Sequence, residues 1–246
     1  MEKINKGMTN NSYRDGNTFY QVKTNNSLNH RIDYQVLGKL DFVPKLIENT
    51  PTHTRWDFVE GEEFTKSEEN LKKLAKMLAQ IHNSKLEFPK FNHRDRVNTY
   101  RKQLAEKNLK IDVIDAYFKR INLILRNMDT TTPVHNDLFP FNLIVDKDQK
   151  IWIVDWEYAS LGDKHFDLAY FIESGKLTDQ EEDILLDNYG SYDYEKIIQH
   201  KIFVNYLVIL WVNVQPVKYF DDQEYINRIY ELDKFLNEYR TKHNLK

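Results

Sequence analysis

The chain contains no cysteine. That excludes disulfides, thiolate metal sites and a cysteine nucleophile, and it is compatible with a reducing compartment. Glycine is scarce, with 7 among 246 residues. There is no excess of basic charge: 35 Lys and Arg stand against 38 Asp and Glu, a formal net charge of −3. With no basic tract, neither nucleic acid nor a membrane surface is an expected partner. No apolar run opens the chain, so no secretory signal is expected. The longest apolar stretch, residues 202–214, is interrupted by Asn205 and Asn213 and is too short to span a bilayer. A soluble, cytoplasmic protein without membrane insertion, monomer or dimer, is the expectation. What the chain does have is aromatic bulk: 14 Phe, 15 Tyr and 4 Trp, with 41% apolar residues overall. That is enough to bury a sizeable core, as one domain of two lobes or two small domains.

The first sixty residues read as strands. Residues 12–14 and 18–23 flank Asp15-Gly16, a dipeptide that tolerates the positive φ of a tight hairpin turn. In residues 29–40 the apolar positions Ile32, Val36, Leu37 and Leu40 recur at helical spacing behind Asn29 as N-cap. Residues 42–47 and 53–59 are again extended, with Asn49-Thr50-Pro51 between them. After Glu60-Gly61 the pattern turns helical. Thr65 and Glu68 fit a capping box, and Leu71, Leu74, Ala75, Leu78 and Ile81 form one stripe. Residues 96–108 and 111–127 are further helices. Strands 142–145 and 151–154 enclose a turn, and helices dominate from about Phe166. The plan is a strand-rich front with one helix, then a larger helical body holding one late hairpin. The short junction near residue 60 suggests a hinge beside a cleft.

Two segments carry chemistry. The first, VHNDLFPFN at residues 134–142, places Asp137 and Asn142 five apart around Pro140. Pro140 prevents a continuous helix, so a curved loop is needed to aim both side chains at one point. The second, IWIVDWEY at residues 151–158, runs four apolar residues into Asp155. A carboxylate at the end of a buried strand is costly unless a cation or donor meets it. If the late hairpin pairs, Asp137, Asn142, Asp155 and Glu157 converge. Such hard oxygen ligands suit Mg²⁺, and phosphoryl transfer needs one carboxylate for the attacking hydroxyl and others for the metal. An isolated Asp near an Asn is more often a turn or cap. The full constellation, H-x-D-x-x-x-x-N followed by a hairpin and an apolar run ending in Asp, is far more specific.

These segments resemble the choline/ethanolamine kinase and aminoglycoside phosphotransferase branch of the protein-kinase-like superfamily. HNDLFPFN resembles its catalytic loop, where protein kinases carry H-R-D-x-x-x-x-N. IVDWEY is similar to its metal-binding segment, and GDKHFDLA at residues 162–169 to the continuation seen in bacterial choline kinases. GMTNNSY at residues 7–13 resembles their phosphate loop, poorer here in glycine. The resemblance covers nearly the whole chain. It implies an α+β, protein-kinase-like bilobal fold: a small antiparallel-sheet N-lobe with one helix over residues 1–60, and a larger, mainly helical C-lobe over residues 61–246. It implies ATP and Mg²⁺ as cofactors. Asp137 would be the catalytic base, with Asn142, Asp155 and Glu157 on the metal. Thr9, Asn10, Asn11, Ser12 and Lys23 would hold phosphates, Asp33 would partner Lys23, and the backbone around Asp57 and Val59 would bind adenine.

For the acceptor, the resemblance implies a small cationic alcohol, choline first. Trp211 matches one tryptophan of the family's W-x-x-W-x-x-x-Q helix, while Val208 stands at the other. Tyr158 and Glu173 match substrate-side positions, and Tyr219 and Phe220 are candidates to close the pocket. A quaternary ammonium is held by aromatic faces and nearby carboxylates. An aromatic in an apolar helix is equally at home in a core. An aminoglycoside phosphotransferase and a nucleotide-binding pseudokinase are the rival readings.

Overall fold

The computed structural model describes residues 1–4, 10–24 and 26–245. The chain divides into two compact units, each discontinuous in sequence. The first comprises Met1–Pro89, Thr132–Leu161 and Leu177–Gly190; the second comprises Lys90–Thr131, Gly162–Lys176 and Ser191–Lys246. The junction expected near residue 60 lies inside the first unit.

The first unit opens with β1 (Glu2–Ile4), β2 (Asn11–Asp15) and β3 (Thr18–Val22). With β4 (Leu46–Asn49) and β5 (His53–Asp57) they form an antiparallel sheet of order β1-β2-β3-β5-β4. The β2–β3 hairpin turns at Asp15-Gly16 as the dipeptide requires, with Gly16 at φ 61°. Its register sets Ser12 opposite Gln21, and both side chains are buried. The helix expected over residues 29–40 is shorter: a 3-10 helix, Tyr34–Lys39, capped by Asp33, whose carboxylate accepts the Gln35 N–H. Asn29 does not cap it. Its side chain closes a local turn instead, accepting from Asn26 N–H and donating to Thr24 O.

Helix Glu68–Asn83 buries the predicted stripe completely: Leu71, Leu74, Ala75, Leu78 and Ile81 have no exposed surface. Each full leucine or isoleucine burial stabilises by roughly 1.5–3 kcal/mol. The N-cap is Ser67, which accepts from Asn70 N–H, and not Thr65. Thr65 instead accepts from the Asn70 side chain through its hydroxyl and carbonyl oxygens. Either residue can cap, so the sequence signal was degenerate by two positions. The same unit holds helix Asp179–Tyr189, with a complete Thr178–Glu181 capping box.

A second sheet joins β6 (Gly61–Glu63), β8 (Leu143–Asp146) and β9 (Ile151–Ile153) in the order β6-β8-β9. Between them in the chain lies β7 (Thr132–Val134), which pairs with β10 (Ser160–Gly162) in a two-stranded ribbon. Strand β6 was not expected, and its Gly61 explains how it fits. A Cβ there would sit 2.4 Å from Val145 O and 2.7 Å from the Ile144 side chain. Backbone cannot yield as a side-chain tip can. Gly61→Ala is therefore expected to destabilise the protein by about 2 kcal/mol, read as a lower denaturant midpoint at unchanged slope.

The second unit is helical. Helix Tyr194–Val214 is its axis, packed by Lys164–Ser174, His93–Glu106, Phe118–Asn127 and Gln223–Lys242. Among the described residues it is the one helix long and apolar enough to cross a bilayer. However, 72% of that stretch is buried inside the unit, as in a core helix. The helix expected over residues 111–127 is broken at Tyr117 into Asp112–Ala116 and Phe118–Asn127.

Candidate active site

The loop after β7 is fixed by its own polar side chains. His135 Nε2 lies 3.0 Å from Val154 O. A carbonyl only accepts, so Nε2 carries the proton and Nδ1 is left to receive the Asp137 N–H, at 3.3 Å. Asn136 adopts φ 66°, a left-handed conformation that asparagine tolerates better than most side chains. Its amide donates to Tyr158 O at 3.0 Å and Ser160 Oγ at 2.7 Å. His135 and Asn136 thus tie the loop to the segment carrying Asp155.

Asp137 O accepts from Phe139 N–H at 3.0 Å and from Asn142 Nδ2 at 2.9 Å, and Phe139 O accepts from Asn142 N–H at 2.9 Å. Pro140 opens the 3-10 turn Pro140–Asn142. These bonds lock Asp137 and Asn142 into one turn, as the curved-loop argument required. The turn also stacks Phe139 on Phe141, with ring centroids 4.8 Å apart.

The β8–β9 pairing brings the two segments together. Leu143 pairs with Ile153, and beyond the ladder Val154 N–H donates to Asn142 O at 2.9 Å. Asp155 follows at once, at φ 62°. Its Oδ1 is buried with no hydrogen-bond partner. Burial, followed by the charges of Glu157 and Asp137, pushes its pKa well above the ordinary carboxylate value; a hydrogen bond from Gln21 acts the other way. An orphaned carboxylate oxygen one residue beyond a strand end tied to Asn142, under negative potential, fits a hard divalent cation with few protein ligands.

Glu157, expected on the metal, has one carboxylate oxygen engaged within the protein. Its Oε2 receives Asn10 Nδ2 at 2.7 Å, Asn29 Nδ2 at 3.0 Å and His30 Nε2 at 3.0 Å. Three donors saturate that oxygen. Among the described residues no three histidine or acidic side chains converge as a metal cluster.

The nucleotide residues are partly redistributed. Thr9 lies outside the described residues. The side chain of Asn10 is engaged at both ends, donating to Glu157 and accepting from Thr24 N–H at 2.9 Å. Asn11 begins β2 and is exposed; Ser12 is buried opposite Gln21. Lys23 Nζ donates to Asn49 Oδ1 and Thr50 O, both at 2.7 Å, and burial lowers its pKa. Asp33 is occupied as a helix cap, so the expected Lys23–Asp33 pair is replaced by these two separate attachments. Asp57 and Val59 line a cavity of about 1300 Å³ with Val43, Leu46, Val145 and Trp152. Asp137, Asn142 and Asp155 are not among its lining residues.

Of the acceptor residues, Tyr158 is buried in the first unit. Glu173 belongs to the second, where Arg228 grips both its oxygens at 3.0 Å and Asn205 Nδ2 donates at 2.8 Å. Its carboxylate ties three helices together. Trp211 is half-buried and stacks on Tyr219, centroids 5.6 Å apart at 25°, with Phe220 at 6.4 Å. Sequence reasoning missed Gln21 and the joint role of Asn29 and His30. The signal for Gln21 was its cross-strand alignment with Ser12.

The signature of the phosphotransferase enzyme family (APH) matches residues 35–198. A LicA homologue from Mycoplasma capricolum is 51% identical over 213 residues, 87% of this chain and 89% of that protein. Among solved structures, choline kinase LicA from Streptococcus pneumoniae superposes with a TM-score of 0.74 at 23% identity, covering 97% of this chain and 95% of that one. LicA in complex with AMP gives a TM-score of 0.73 at 22% identity, covering 97% and 92%.

Proposed function

Because this chain belongs to the phosphotransferase enzyme family, with a protein-kinase-like fold, we propose that it transfers the γ-phosphate of ATP to the hydroxyl of a small cationic alcohol, choline first. The observation that carries the reading is the meeting of Asp137, Asn142 and the orphaned Asp155 oxygen at the end of one hairpin.

Asp137 orients the acceptor hydroxyl and takes its proton as the oxygen attacks the γ-phosphorus. His135, protonated on Nε2, holds the Asp137 backbone and does not exchange protons with substrate. Asn142 and Asp155 are the residues that would hold Mg²⁺, which when bound neutralises phosphate charge. The Asn142 amide nitrogen is committed to Asp137 O, which leaves its oxygen for the metal. The segment from Thr9 to Ser12 and Lys23 are assigned to the phosphates, and the backbone of Asp57 and Val59 to adenine. Trp211, stacked on Tyr219, is an aromatic face of the kind that attracts a quaternary ammonium.

An acceptor screen by coupled ADP release tests this reading. Choline is expected to be turned over at least tenfold more efficiently than ethanolamine, thiamine or kanamycin. Turnover of kanamycin alone would move the protein to the antibiotic-modifying branch. Nucleotide binding without turnover of any alcohol would make it a regulatory nucleotide-binding module.

A further inference from the structure

Glu157 is 2% exposed, and the groups that meet it come from far away in the sequence. Asn10 lies 147 residues away and Asn29 lies 128 away. Each contact is secured from behind. Asn10 Oδ1 accepts Thr24 N–H, fixing which end of the amide faces Glu157. Asn29 is braced by Asn26 and Thr24. His30 Nδ1 lies 2.7 Å from Tyr34 OH, while Nε2 donates to the carboxylate. The backbone repeats the connection, with His30 N–H donating to Glu157 O at 2.7 Å. His30 sits at φ 52° to make it. Four independent donors on one residue make a joint, and two residues before it stands Asp155.

We propose that Glu157 is a positioning residue for the nucleotide: it clasps Asn10, at the entry to β2, and the Asn29-His30 turn onto the Asp155 strand end, and so sets where Asn10, Asn11 and Ser12 stand relative to Asp155. The proposal rests on the nucleotide reading above. A carboxylate suits the task because a single oxygen can accept several donors, and charge-assisted bonds are stronger than neutral ones. Asn10 is thereby a structural link at the entry to β2, and phosphate would be met by the Asn11 and Ser12 backbone that it holds in place.

The test is direct binding of a fluorescent ADP analogue in EDTA, so that no metal contributes. Glu157→Ala and Asn10→Ala should each raise its Kd about tenfold, the scale of one charge-assisted hydrogen bond. The double variant should be no worse than Glu157→Ala, because both break one joint. Asn10→Ala alters only a partly exposed loop and guards against a Glu157 variant that fails to fold. Unchanged Kd in EDTA with a raised Mg²⁺ requirement would make Glu157 a metal ligand and overturn the clasp. So would a lowered melting temperature with unchanged Kd. Hydrogen exchange in the free protein gives a readout that needs no nucleotide: the Thr24 and His30 amides should lose protection in Glu157→Ala. Retained protection overturns the clasp. Absence of nucleotide binding in the wild type, with that protection lost in the variant, overturns the kinase reading alone.

Discussion

Replacing Asp137 by alanine is expected to lower kcat about a thousandfold while leaving the Kd for ATP within about twofold. Positioned general bases contribute between about a hundredfold and ten thousandfold, and the acceptor hydroxyl has no other candidate base in this loop. His135 is excluded by its bonds: Nε2–H is directed to Val154 O, and Nδ1 receives the Asp137 N–H. The bonds that tie Asp137 to His135, Phe139 and Asn142 are made by its backbone. Alanine preserves them, so Asn142 keeps its place. Steady-state ADP release and calorimetric ATP binding on the same preparation check the two halves. Activity within tenfold of wild type would remove Asp137 from the role of base; a parallel loss of ATP affinity would assign it to nucleotide binding.

How far the sequence could be read depended on the range of the interaction. The Asp15-Gly16 hairpin, the buried stripe from Leu71 to Ile81 and the β8–β9 hairpin are written in local periodicity and turn chemistry, and each forms where expected. The Asp137–Asn142 turn was legible because Pro140 permits few alternatives. Contacts over long separations were not. Nothing near Glu157 announces Asn10, Asn29 or His30. Nor does anything near Glu173 announce Arg228, 55 residues downstream on another helix. Where two neighbouring residues could serve equally, as Thr65 and Ser67 did for one cap, packing of the helix decided. Local turns and strand ends were thus legible, and the distant groups that hold them in position were not.

Asp155→Asn is expected to move activity and stability in opposite directions. In the metal-free protein, Asp155 bears a buried oxygen without a partner and a pKa raised by burial and by Glu157 and Asp137. Asparagine keeps the size and tolerates φ 62°, but carries no charge to desolvate. The sign follows from linkage. A carboxyl whose folded pKa exceeds the unfolded value near 3.8 binds more protons when folded, so its contribution to stability is lost as pH rises from there through the raised pKa. In EDTA, wild type should therefore weaken relative to Asp155→Asn across that window, leaving the variant about 1 kcal/mol more stable at neutral pH, or about 2–4 °C in Tm. Adding Mg²⁺ with ADP should raise the Tm of wild type and close the gap, with little effect on the variant. Phosphoryl transfer in the variant should fall about a thousandfold or more, since metal charge stabilisation supplies several kcal/mol. A variant less stable than wild type in EDTA would show that the Asp155 carboxylate is satisfied within the protein, and with that the assignment of Mg²⁺ to this oxygen would lose its physical basis.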